Sequence, residues 1–244
     1  MPIDINCDMG ESVDAFTLGK DEEILDYVTS INIACGYHAG NHTMMHKTVR
    51  NAIRKNVLIG AHPGYPDLQG FGRRNMDFSA DEIYNMIVYQ VGALQAFVSV
   101  EKGTLHHVKP HGALYNQSAN NIEKATAIVN AVYDLNPTYV LYCLAGSEMV
   151  KIAKKKGLPV YEEVFSDRNY NEDGTLVSRE EANALIQTEE EMFVHVKSIL
   201  TSNEVMSVQQ KKIKISAQTL CIHGDGPHAL AYAKKIYELR KQFG

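Results

Sequence analysis

INIACGYHAGNH, residues 31–42, opens as an apolar run and ends in glycine and histidine, just ahead of a segment with helical spacing (Met45, Val49, Ala52, Ile53). VLIGAHPG at 57–64 and HHVKPHGALYN at 106–116 repeat the arrangement. An apolar run that stops at a polar, glycine-bearing turn before a helix is one βα unit. Seven such runs occur: IDINCDM (3–9), INIACG (31–36), VLIGA (57–61), HHVKP (106–110), YVLYCLA (139–145), VYEEVF (160–165) and TLCIH (219–223). They are short and mostly not alternating, as strands covered on both faces are.

Helical segments separate them. Ser79 and Glu82 form a capping box ahead of a stripe at Ile83, Ile87, Val91, Leu94 and Val98. Ile122, Ala125, Val129 and Val132 repeat the period, and Thr188 with Glu191 announces another box. Gly157 stops one helix, and Pro227 suits the first turn of the last. Strands alternating with helices imply a parallel sheet with right-handed crossovers. About seven units in 244 residues suit a closed, distorted parallel β/α barrel occupying 1–244 as a single domain, better than an open sheet. The polar stretch 166–187 exceeds what a connection needs, and such loops are usually lids or binding elements.

Composition narrows the function. Apolar content of 45% and charged content of 22% are those of an ordinary globular enzyme. A net charge of −5 argues against nucleic acid or an anionic membrane as partner. No uninterrupted apolar run reaches the roughly 18–20 residues of a membrane span. The start, MPIDINCDMG, has no signal-like stretch, and Cys7, Cys35, Cys143 and Cys221 form no CxxC pair. The expectation is a cytoplasmic protein without structural zinc.

In a parallel barrel all strand C-termini share one rim, and the loops leaving them build the active site. That rule gathers Asp8 and Glu11, His38 with Asn41 and His42, and His62 with Asp67. It adds Lys109, His111 and Asn116, then Asp167 and Arg168, and finally His223 and Asp225. Chemistry is assigned to Asp8, His38, His62, Lys109, His111, Asp167, Arg168, His223 and Asp225. Glu11, Asn41, Arg73 and Asn116 are assigned to cofactor binding. Asp8 or Asp225 would activate water, with His38, His62 or His223 moving protons. Lys109, helped by His111 or Arg168, would stabilise negative charge, and Arg73 with Arg74 would clamp an anion. His46, His106, His107 and His195 fall outside the rim pattern. An alternative metal set joins Asp8 to the HxxxH pair His38 and His42, although Gly36 and Gly40 weaken the helix it requires. No GxxxxGK[ST] loop or dinucleotide fingerprint is present.

Taken together, DINCDMGES, NIACGYHAGN, GAHPGYPDLQGFGRR, VKPHGALYN, EVFSDRNYNEDGTLVSR and CIHGDGPHAL strongly resemble the LamB/YcsF family, in order, from residue 3 to about 240. The resemblance implies a β/α barrel of the glycoside hydrolase/deacetylase type. It also implies ATP-dependent opening of 5-oxoproline to L-glutamate, performed with two partner subunits, B and C. The family usually reads HAGD where this chain has HAGN, so Asn41 removes a charge. Two other functions stay open: a metal-dependent, deacetylase-like carbohydrate hydrolase, and a non-catalytic protein that presents a metabolite to another enzyme.

Overall fold

The computed structural model describes residues 2–12, 21–222 and 229–243. Its centre is a closed barrel of seven parallel strands. In chain order the elements begin with β1 (Asp4–Met9), α1 (Asp21–Ile24), β2 (Ser30–Ala34), α2 (His42–Lys55), β3 (Leu58–His62) and α3 (Ala80–Val100). They continue with β4 (Leu105–Val108), α4 (Gly112–Asn120), α5 (Ile122–Leu135), β5 (Val140–Leu144), α6 (Glu148–Lys156) and β6 (Val160–Phe165). The last are α7 (Glu189–Ser202), β7 (Glu204–Met206), β8 (Lys212–Lys214), β9 (Thr219–Ile222) and α8 (Ala229–Phe243). β1 to β6 follow sequence order round the barrel, and β9 closes it between β6 and β1. All seven runs read as strands are the barrel strands. The sequence pattern did not reveal the antiparallel hairpin β7–β8, whose strands are three residues each.

Helix ends follow local chemistry. Both expected capping boxes form, at Ser79/Glu82 on α3 and Thr188/Glu191 on α7, and Gly157 caps the end of α6. The α3 stripe from Ile83 to Val98 is buried against β3, β4 and α5. By length and composition α3 is apolar enough to cross a bilayer, and that stripe is what gives it its apolar character. Ile122, expected in the α5 stripe, is instead 64% exposed as the first residue of α5, although Lys124 and Ala125 in the same turn are buried. The first-turn reading of Pro227 lies outside the described residues.

The strands are covered on both faces, as expected, but two different interiors flank them, and β1 alternates between the two. On β1, Ile5, Cys7 and Met9 join the hydrophobic layer beneath the helices. Asp4, Asn6 and Asp8 bond to side chains of other strands across the barrel axis. Period two separates the sets. The barrel lumen is therefore largely polar: Asp4 accepts from Ser30, Tyr142 and Thr219, and Asn6 donates to Thr219 and Glu163. His107 stacks on Tyr142 at 4.0 Å and donates from Nε2 to Asn32 at 2.8 Å. This ring fits because residue 60 has no side chain; a Cβ on Gly60 would sit 2.1 Å from His107 Nε2. Gly60→Ala is expected to cost about 1–3 kcal/mol through overpacking. Urea unfolding of the two proteins measures it, and an unchanged midpoint would show that His107 can yield freely.

Candidate active site at the barrel mouth

The site begins with a lysine inside the barrel. Lys109 follows β4 and its ammonium is buried. Its Nζ lies 2.8 Å from Glu163 Oε1, 3.0 Å from Asp8 Oδ1, 3.2 Å from Asn6 Oδ1 and 3.2 Å from Cys221 Sγ. Burial alone would depress this lysine, but Asp8 and Glu163 outweigh it and hold the ammonium well above its ordinary pKa. A lysine has three N–H donors, and three oxygens already occupy them. Lys109 is thus a fixed charge that orients Asp8. Asn32 Nδ2 supplies a further bond to Asp8 Oδ1 at 2.8 Å, and Asn32 in turn is held by His107.

Beside Asp8 stand three histidines and a glutamate. His62 Nε2 is 3.4 Å from Asp8 Oδ2 and 2.9 Å from His111 Nδ1. His38 stacks on His111 with ring centres 3.7 Å apart and planes within 3°. Glu11 Oε1 lies 3.4 Å from His38 Nε2 and 3.7 Å from His111 Nδ1. Burial lowers the proton affinity of His38, with Glu11 opposing it. His111 is lowered further, by burial and then by the neighbouring His38 and His62. Gly72 lets the chain pass close beside this stack: φ is +64°, and a Cβ there would lie 2.7 Å from His38 Cβ and 2.9 Å from His111 Cδ2. The ligand atoms of Glu11, His38, His62 and His111 all fall within 4.8 Å of one another, which makes this group able to hold a metal ion.

Over the floor opens a small cavity at the barrel mouth. Asp8, Glu11, His62, Lys109 and His111 line its base, and Arg73, Asn116, Arg168 and Arg179 stand round its sides. Tyr115 and Phe165 form an aromatic edge at 5.9 Å. The 166–187 stretch is folded against the barrel. Tyr170 is buried, with its hydroxyl accepting from Phe165 N, and Arg168 Nη2 donates to Val177 O at 2.6 Å. Burial, with Arg179 close by, brings Arg168 down to about 10.

Sequence and structure comparisons converge on one family. A LamB/YcsF family profile matches residues 3–244. The chain belongs to the LamB/YcsF family. It is 52% identical over 236 residues to the 5-oxoprolinase A component of Bacillus cereus (strain B4264), covering 96% of this chain and 93% of the relative. The corresponding protein of Brevibacillus brevis is also 52% identical, covering 97% and 93%. The crystal structure of the lactam utilization protein from Thermus thermophilus superposes with a TM-score of 0.92 at 40% identity, over 99% of this chain and 97% of that one.

Within this LamB/YcsF barrel, Asp8, Glu11, His62, Arg73, Lys109, His111, Asn116 and Arg168 reach the cavity, and His38 lies directly beneath it. His223 and Asp225 lie outside the described residues. Asp167 does not line the cavity. Asn41 departs from its expected binding role: it is the N-cap of α2, its Oδ1 accepting from Met44 N at 3.0 Å. Aspartate caps a helix equally well, so the HAGD-to-HAGN difference exchanges one cap for another. The HxxxH pair does not form, because α2 starts only at His42. That ring is exposed, bonds Thr43, and faces a separate groove with Glu22, His46 and Arg50. Asp67 is held by Arg74 and Gly70 N, which pull its carboxyl down to about 2 and pin its own loop. Asn6, Asn32, Glu163 and Arg179 were not singled out from the sequence. A glutamate inside a strand covered on both faces was the available signal for Glu163.

Glu163→Gln keeps the shape but removes the charge facing Lys109. The expected loss is about 3–5 kcal/mol of stability. Equilibrium denaturation measures it, and a variant as stable as the wild type would show that Asp8 alone compensates the ammonium.

Proposed function

We propose that this chain is the A component of a 5-oxoprolinase, opening the lactam of 5-oxoproline to L-glutamate at the barrel mouth, with ATP and with partner subunits B and C, in the cytoplasm. One observation carries the reading: relatives 52% identical over nearly the whole chain are 5-oxoprolinase A components. The site chemistry agrees with it.

The lactam is a resonance-stabilised amide in an unstrained ring, so water alone attacks it slowly. Transfer of the γ-phosphoryl group to the lactam oxygen releases ADP and makes the ring carbon electrophilic. Addition of water, cleavage of the C–N bond and protonation of nitrogen leave an acyl phosphate. A second water releases phosphate and glutamate. The sequence has no GxxxxGK[ST] loop, and of an unfamiliar ATP surface at this rim and a contribution from the partner subunits, we favour partners that supply part of the phosphoryl chemistry.

This chain supplies a base and an anion clamp. Asp8 is at the cavity floor, its carboxylate 3.0 Å from the Lys109 ammonium and aimed by Asn32. It activates the attacking water, with His62 Nε2 beside it at 3.4 Å. The substrate carboxylate meets Arg73 and Arg179 at the cavity wall; the Arg73 guanidinium is steadied over the Phe71 ring at 4.8 Å. Arg168 is committed to backbone carbonyls and acts by holding the loop that carries Arg179.

The decisive assay measures ATP-dependent glutamate formation by this chain alone and mixed with subunits B and C. Activity only in the mixture is expected, and none in the mixture would overturn the reading. Asp8→Asn should lower kcat by roughly 10²–10⁴-fold with the fold intact by circular dichroism. Arg179→Ala should raise KM for 5-oxoproline by roughly 10- to 100-fold while kcat changes little. An unchanged KM would remove Arg179 from the clamp.

A further inference from the structure

The histidine cluster presents lone pairs to one point. His62 Nδ1 is 2.7 Å from the Lys109 carbonyl, and His111 Nε2 is 2.8 Å from the Phe71 carbonyl. A carbonyl only accepts, so each of these nitrogens carries the ring proton. In neutral rings the other nitrogens, His62 Nε2 and His111 Nδ1, are therefore both acceptors, and they face each other at 2.9 Å. Glu11 Oε1 and one nitrogen of His38 approach the same point, and Glu11 Oε1 and both His38 nitrogens are buried with no hydrogen-bond partner among the described protein groups. A neutral donor set cannot satisfy this arrangement; a cation can.

Distances and support agree. Nitrogen and oxygen ligands about 2.0–2.2 Å from a common ion stand roughly 3.0–3.5 Å apart. The cluster shows 2.9 Å for His62–His111, 3.4 Å for His38–Glu11 and 3.7 Å for His111–Glu11, and its full spread of 4.8 Å would close by a few tenths of an ångström round an ion. The carbonyl bonds on the far nitrogens of His62 and His111 are the outer contacts that fix the ring orientation of metal-ligating histidines. Packing holds the third ring, stacked on His111 and edge-on to Phe71.

We propose that Glu11, His38, His62 and His111 form a binding site for one divalent transition-metal ion. Three imidazoles and a carboxylate suit zinc or cobalt better than magnesium or calcium, which prefer all-oxygen shells. His62, His111 and Glu11 all border the cavity, so the site places a Lewis acid next to Asp8. Binding does not depend on the lactam reading and is tested without activity.

The test starts from the full chain stripped with a chelator and dialysed. Zinc is titrated by calorimetry, retained metal is measured by elemental analysis, and cobalt is added as a spectroscopic probe. Expected are one equivalent per chain, visible bands of a nitrogen-ligated cobalt ion, and a higher Tm with zinc. Glu11→Gln should weaken zinc at least roughly 10-fold, and His42→Ala should leave stoichiometry and affinity unchanged. Circular dichroism establishes that both variants fold. The proposal fails if the wild-type chain binds no zinc or cobalt, or if binding survives Glu11→Gln unchanged or is lost in His42→Ala. It also fails if metal-free protein shows His62 or His111 as a stable imidazolium by NMR and gains nothing from zinc, since a proton would then be the cation.

Discussion

A positive charge buried in the barrel sets the terms for everything round it. Lys109 reaches the axis from the end of β4, where water cannot solvate it, so the protein must. It does so with Glu163 from β6, Asp8 and Asn6 from β1, and the Cys221 sulfur from β9. These strands surround the seam where β9 joins the first and last βα units. Barrel closure and site assembly are thus one event: a register slip in β1 would turn Asn6 and Asp8 outward and leave the ammonium facing apolar side chains.

Such a core is a costly way to fill a barrel. Well-packed hydrophobic residues in place of a buried ion cluster are often neutral or stabilising. Here the polar column continues from Asp4 at one end, through Thr219 and Asn6, to Asp8 and Lys109 at the mouth. Stability comes instead from the outer layer, where Ile5, Ile31, Ile33, Val91, Leu94 and their neighbours are sealed beneath the helices. The division frees the lumen for orientation. Asp8 is fixed by Lys109 and Asn32, so its geometry is set before any substrate arrives.

The rim was legible in the sequence because a parallel barrel puts every strand end on one side, and six of the seven ends carried an unusual residue. The interior was harder to read. Asn6, Asn32 and Glu163 sit within runs that look like wall, and only their period-two placement distinguishes the axis from the helix side. In DINCDM that alternation is plain once the lumen is known to be polar. Asn41 and His42 show the opposite difficulty. A spacing of four suggests one helical face, but the helix starts at the second histidine, so the rings diverge. Arg179 comes from an irregular excursion whose path is set by Tyr170 and Arg168 contacting distant backbone, which no local pattern encodes.

Two charge systems therefore meet at Asp8. On one side Lys109 binds it to the barrel; on the other His62 links it, at 3.4 Å, to the Glu11–His38–His111 group. A base that activates water needs a strong orienting partner and a neighbour that accepts or holds charge as the proton moves, and these two systems provide one each. The arrangement also explains why Gly60, Gly64 and Gly72 lie against histidine rings, since a side chain at any of them would meet His107, His38 or His111. Gly60 within β3, and Gly64 and Gly72 in the connection that follows it, leave the space in which those rings are held, and the glycine-histidine pattern of that stretch is the trace of the packing.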